Sequence, residues 1–254
     1  MEGNFESIKN VLYNEASELV NSSAMFKALR AKEKIDVDIP KEFAEKFFKI
    51  IDKVNLSLME EKDNFYGYFL FQMGREIRFD INSPTGINFK GAKYVIYFNP
   101  IIFLQLNIKQ MESTIKHEIH HVLSMHLARA KELRGKFSTL AINLAMDIVV
   151  NQYLNNLPPY ATTLKGVNLK YELNLEPYNS FEYYAENIQN VLNVLEESDE
   201  GEEDDSWGEE LENGYDPETT HDLWDESENI DEKTLRDFTE KFISNSEKGV
   251  IPIH

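Results

Sequence analysis

His117-Glu118-Ile119-His120-His121 spells His-Glu-x-x-His. On a helix, residues four apart differ by only about 40° in direction, so His117 and His121 can grip one metal ion from the same face. Glu118 then stands beside them, where it can take a proton from a metal-activated water. Neutral imidazoles next to a carboxylate base are what zinc-assisted peptide hydrolysis needs. The pattern arises by chance in roughly one or two chains of this length per hundred, so the flanks must carry weight. The plainer alternative is a helix with a histidine-rich solvent face. Met111, Ile115, Ile119, Val122, Leu123 and Met125 recur at helical spacing, and no Gly or Pro falls between Lys109 and Arg134. The spacing predicts a continuous helix from about Lys109 to Ala130, with a break near Gly135.

Two histidines leave a catalytic zinc site short of a third protein ligand. His126 follows His121 by five residues; on a continuing helix it points about 140° away, which suits packing or a place behind the ligands. Only a turn right after Ser124 would bring it round. His120 could replace His121, although four-residue spacing is the usual grip. Asp147 is the better candidate. It lies in Leu144-Ala145-Met146-Asp147-Ile148-Val149-Val150, where an ionised carboxylate needs a compensating charge. Asn143, Asp147 and Asn151 form a polar stripe at i, i+4 and i+8, all facing something polar. The alternative role for Asp147 is a hydrogen bond to a ligand imidazole. His221, in His221-Asp222-Leu223-Trp224, has two readings: a catalytic donor to the developing oxyanion, or simply a histidine packed beside Trp224. Tyr153 and Tyr160 could serve as donors equally well.

The elements that must position these groups are mostly helical. Helices are expected over Phe5 to Leu29, from Ile39-Pro40 through Val54, over Ser138 to Asn155, Phe181 to Leu195, and Asp231 to about Asn245. Phe65 to Met73 is ambiguous and Gly74 punctuates it. Glu76 to Ile81 and Lys93 to Phe98 read as strands, with a turn at Asn82 to Gly86 between them. The expected fold is α+β, mainly helical, with a small sheet beside the active-site helix. Tyr94 to Phe98 is the candidate strand alongside that helix, where an extended substrate would pair. Residues 1–195 are expected to form the core, 196–220 an acidic solvated loop, and 221–254 a C-terminal helical segment on the core.

Composition narrows the class. The 254 residues, 42% hydrophobic, suffice for a real core. Cysteine is absent, so zinc would be held by His and carboxylate, the mixture typical of catalytic sites. The acidic start and the lack of an apolar leader point to a cytoplasmic protein. No run of eighteen apolar residues occurs, so no membrane span is expected. The net charge is −19. Eleven acidic residues lie between Glu196 and Glu212 with no basic one, leaving −8 elsewhere. Nucleic acid is an improbable partner for such a surface.

The combination of His-Glu-x-x-His, His-Leu-x-Arg (His126 to Arg129) and Ala-x-Asp-x-x-x-Asn (Ala145 to Asn151) resembles a bacterial and phage metallopeptidase-like domain family of zincin type. Tyr97 to Pro100 and the later His221 to Trp224 also fit. The resemblance is firmest over 94–155. It implies His117 and His121 as metal ligands, Glu118 as catalytic base, Asp147 as third ligand, and Zn²⁺ as cofactor. It further implies a peptide or protein substrate, with a von Willebrand factor A-like domain and an AAA-type ATPase as companions. The chain ends at His254 without length for such a second domain, so a truncated form or short variant is expected. The competing expectation is a non-catalytic, metal-stabilised binding module acting with a partner protein.

Overall fold

The computed structural model describes residues 2–20, 37–60, 64–197, 221, 224 and 230–249. Of the acidic loop expected over 196–220, residues 196 and 197 instead end a helix and 198–220 lie outside the described residues, as do 250–254 and the part of the expected first helix beyond residue 20. Elements run α1 (Glu2–Leu19), α2 (Lys41–Glu60), α3 (Phe65–Gln72), β1 (Gly74–Ile77), β2 (Thr85–Lys90), β3 (Lys93–Phe98) and α4 (Pro100–Phe103). Then follow α5 (Ile108–Leu123), α6 (His126–Leu133), α7 (Thr139–Asn151), α8 (Leu164–Lys170), α9 (Phe181–Glu197) and α10 (Glu232–Gly249). The fold is α+β and mainly helical, with one three-stranded sheet among the described residues.

The sheet has the order β1-β3-β2, with β1 parallel and β2 antiparallel to β3. This corrects the expectation for Tyr94 to Phe98: β3 is the central strand, paired on both sides, and β2 is the edge strand that packs against α5. The turn expected at Asn82 to Gly86 gives way at Thr85, where β2 begins. β2 and β3 join through the two-residue turn Gly91-Ala92, at φ 57° and 61°. Both positive angles match the right-handed twist of the paired strands.

α5 sits at the centre, against β2, α2, α3 and α7. Asn107 caps it, accepting from the Gln110 backbone N–H, while the Gln110 side chain accepts from Asn107 N–H. Met111, Ile115, Ile119 and Val122 bury its apolar face. The predicted continuity to Ala130 does not hold. Ser124 ends the helix, Met125 turns left-handed at φ 52°, and α6 restarts at His126. No residue there is a helix breaker. The break is held from outside, by Arg129 donating to the Ser124 carbonyl (3.2 Å) and by burial of His126, Leu127 and Ala128 on a new axis. α7 begins at the cap Ser138, which accepts from Ala141 N–H, and packs on α9. α10 lies over the sheet through Phe238 and Phe242, and Tyr94 Oη and Thr239 Oγ1 meet at 2.6 Å. No helix among the described residues is long and apolar enough to cross a membrane.

Candidate metal centre

Four side chains from three parts of the chain converge on one point. α5 supplies His117 and His121, α7 supplies Asp147, and His221 arrives from the C-terminal side; one ligand atom of each lies within 4.8 Å of all the others. His117 Nε2 and His121 Nε2 are 2.8 Å apart. Asp147 Oδ1 is 3.4 Å from His117 Nε2, 3.5 Å from His121 Nε2 and 3.5 Å from His221 Nε2. His221 Nε2 lies 3.4 Å from His121 Nε2. Ligands about 2.05 Å from a tetrahedral zinc are separated by about 3.3 Å; the 3.4–3.5 Å spacings match this and the 2.8 Å between His117 and His121 is shorter, so the group is one that could hold a metal ion. Three imidazoles and a carboxylate, with no thiolate, suit a zinc-like divalent ion.

The electrostatics agree. Burial opposes ionisation of Asp147, but His221 and hydrogen bonds from His117 and His121 outweigh it and hold the carboxyl well below its usual range. Burial works against a charged His117 too, yet the hydrogen bond and charge of Asp147 raise it to about 9. His121 is pushed well below its ordinary value by burial and by the charge of His117, and burial lowers His221 to about 4. The proton that Asp147 holds on His117 sits where a cation would, so a bound metal would displace it and take over its charge against the carboxylate.

The ligand imidazoles are oriented from behind. A histidine binding metal through Nε2 carries its proton on Nδ1. His117 Nδ1 thus donates to Asn151 Oδ1 at 2.8 Å, and Asn151 Nδ2 donates to Thr162 O at 2.7 Å, which fixes the amide. His121 Nδ1 and His126 Nδ1 share a hydrogen bond at 2.9 Å, with His121 the donor in the tautomer that metal binding through Nε2 would require. The turn after Ser124 therefore does bring His126 round, but to the rear of His121 rather than to the ligand point. His120 points elsewhere and meets the Tyr66 hydroxyl at 2.9 Å.

Glu118 is buried beside the group, and Thr85 Oγ1 of β2 donates to its Oε1 at 2.9 Å. Burial raises the Glu118 carboxyl to about 7, against the charge of His117 and the Thr85 hydrogen bond, which lower it. A cleft opens here, and its lining includes the polar Thr85, His117, Glu118, Asp147 and His221 and the apolar Pro84, Leu157, Pro158 and Ala161. Tyr160 also lines it, whereas Tyr153 is exposed. The sequence-predicted residues His117, Glu118, His121, Asp147 and His221 thus all meet. Thr85 was missed, because its role depends on β2, which the sequence disguised as a turn.

A mainly helical α+β domain whose central helix carries His-Glu-x-x-His into a four-residue His/Asp group is a metallopeptidase-like architecture. The chain belongs to the family described as "Putative metallopeptidase domain", whose profile matches residues 58–227, well over half of the chain. No curated protein and no solved structure matches it.

Proposed function

We propose that this chain is a zinc-dependent peptidase in which His117, His121 and Asp147 hold the metal and Glu118 is the general base. When bound, zinc would supply a Lewis acid for the scissile carbonyl and lower the pKa of water toward about 7. Glu118 accepts the proton of the attacking water and returns it to the leaving amine. Thr85 holds one carboxylate oxygen of Glu118 and leaves the other for that proton. The apolar lining of the cleft, Pro84, Leu157, Pro158 and Ala161, takes a side chain of a peptide or protein substrate. The observation that carries this reading is the placement of Glu118: in the cleft wall, next to a ligand histidine, with its carboxyl near 7.

His221 supports a second reading. A fourth protein ligand closes a zinc site, as in structural centres, and would suit a metal-stabilised binding module that works with a partner protein. Von Willebrand factor A-like or AAA-type ATPase companions rest on the family resemblance alone. The deciding experiment combines zinc content after dialysis with hydrolysis of an unfolded protein such as fluorescent casein. Wild type and Glu118→Gln should hold near-stoichiometric zinc, His117→Ala should lose it, and only wild type should cleave. A fully active Glu118→Gln protein would sink the mechanism.

A further inference from the structure

β2 is one of the two edge strands of the sheet, and its outward-facing backbone groups follow from the hairpin. Lys90 and Lys93 close the two-residue turn as a hydrogen-bonded pair, so Thr85, Ile87 and Phe89 turn their N–H and C=O groups away from β3. Asn99 N–H donating to Pro84 O at 3.1 Å continues the same alternation. An extended peptide lying beside the metal helix would pair with these groups. Side chains of this chain already occupy several of them. Ser83 Oγ donates to Thr85 O, Asn88 Oδ1 accepts from Phe89 N–H at 2.8 Å, and Trp224 Nε1 donates to Ile87 O at 2.7 Å.

Ser83 and Asn88 are local to the strand. Trp224 is not, and it is tied to His221: Trp224 N–H donates to His221 O at 2.9 Å, and their rings lie 4.6 Å apart. Both side chains are buried, and the Trp224 ring also packs edge-on against His121. The two anchors therefore form one unit with two contacts. His221 fills the fourth corner of the ligand shell, where an open peptidase site would admit water or a substrate carbonyl. Trp224 fills a backbone hydrogen-bond position on the strand that would hold the substrate.

Building on the zinc-peptidase reading, we propose that the His221–Trp224 pair is an internal pseudosubstrate: His221 is an exchangeable fourth ligand, Trp224 is the anchor that keeps it there, and a peptide pairing with β2 displaces both. The chain is then latent until a strand with a backbone N–H at Ile87 competes. The carboxylate and the two α5 histidines stay in place throughout, because they belong to helices packed in the core. Once displaced, the same His221 imidazole becomes free to donate to the oxyanion, so the two roles succeed one another.

The test uses the full chain loaded with Co²⁺, whose visible absorption reports coordination, and acetohydroxamate as a probe for an open position. Wild type should show a four-coordinate spectrum that acetohydroxamate changes only weakly. His221→Ala should retain cobalt and bind acetohydroxamate at least tenfold more tightly, and added imidazole should restore the wild-type spectrum. Trp224→Phe, which keeps an aromatic ring but loses the indole N–H together with the fused five-membered ring, should bind the probe more tightly than wild type and covers the case in which His221→Ala does not fold. Equal probe affinity in wild type and both variants would overturn the proposal. Absence of cobalt from folded wild type would overturn the metal centre along with it. Probe binding gained in the variants, with no hydrolysis by any form, would uphold the plug and defeat the peptidase reading.

Discussion

Glu118 depends on one hydroxyl. Its carboxylate is buried between α5 and β2, and the Thr85 contact at 2.9 Å lowers a pKa that burial has raised. A buried hydrogen bond to a charged group contributes about 1.5–3 kcal/mol, and one that orients a base acts directly on the reaction. Thr85→Val should therefore keep metal content and lower hydrolysis by about ten- to a hundredfold; unchanged turnover would show that Glu118 needs no such anchor. Asn151 and His126 make the complementary case, since they touch the imidazoles and not the reacting end. Asn151→Ala or His126→Leu should weaken zinc binding by about 10–100-fold, measured by competition with a chelator of known affinity. At this scale the sequence was readable where chemistry is local. Spacing alone selects His117 and His121, and a carboxylate inside an apolar helix selects Asp147. Thr85 carries no such mark, because a threonine after proline looks like any turn residue until its strand is placed. His126 was placed away from the ligand point, for a reason that fails one level up.

That reason is the break between α5 and α6. A continuous helix would send His126 to the opposite face, but Met125 at φ 52° swings it behind His121. Helix periodicity made the segments legible, since α5, α7 and α9 repeat apolar residues over several turns. The junction was not, because left-handed backbone at a methionine has no signature; it is imposed by Arg129 on the Ser124 carbonyl and by the packing of α6. β2 was hidden for a related reason, since Pro84-Thr85-Gly86 carries turn chemistry and only pairing with β3 makes it a strand. The junction makes a definite demand. A β-branched residue tolerates a positive φ poorly, at a cost of about 1–2 kcal/mol, whereas glycine adopts it freely. Met125 already bears the penalty common to residues with a Cβ, so Met125→Ile should lose only the added cost of branching, about 1 kcal/mol, in denaturant unfolding, while Met125→Gly should offset its lost side-chain contacts by relief of that strain. The Ile variant should also bind zinc less tightly, through the displaced His126. If Met125→Ile unfolds at the wild-type midpoint, the bend is not fixed by its backbone.

For the molecule as a whole, the four converging side chains span more than a hundred residues, from His117 to His221, and tie the core helices to the C-terminal part of the chain. α10 packs over β3 and α3 through Phe242, Phe238 and the Tyr94–Thr239 contact, so that part has its own apolar hold. A metal bound by these side chains would add a second one, present only in the folded state. A ligand that binds the folded chain alone at a thousand times its Kd stabilises it by about 4 kcal/mol. For a chain of this size each kcal/mol moves Tm by about 2–4 °C, so removing the metal with a chelator should lower Tm by about 10 °C, and zinc should restore it. The loss should be uneven. Hydrogen exchange should rise at Trp224, which is hydrogen-bonded to His221, and change little along α2 and α3, which supply none of the four converging side chains. His221→Ala should show most of the exchange increase at Trp224 while keeping much of the zinc-dependent Tm, because three ligands remain. A uniform rise in exchange across α2, α3 and Trp224 alike would mean the metal holds up the entire core, and the C-terminal pair would then be a structural tie and not a removable one.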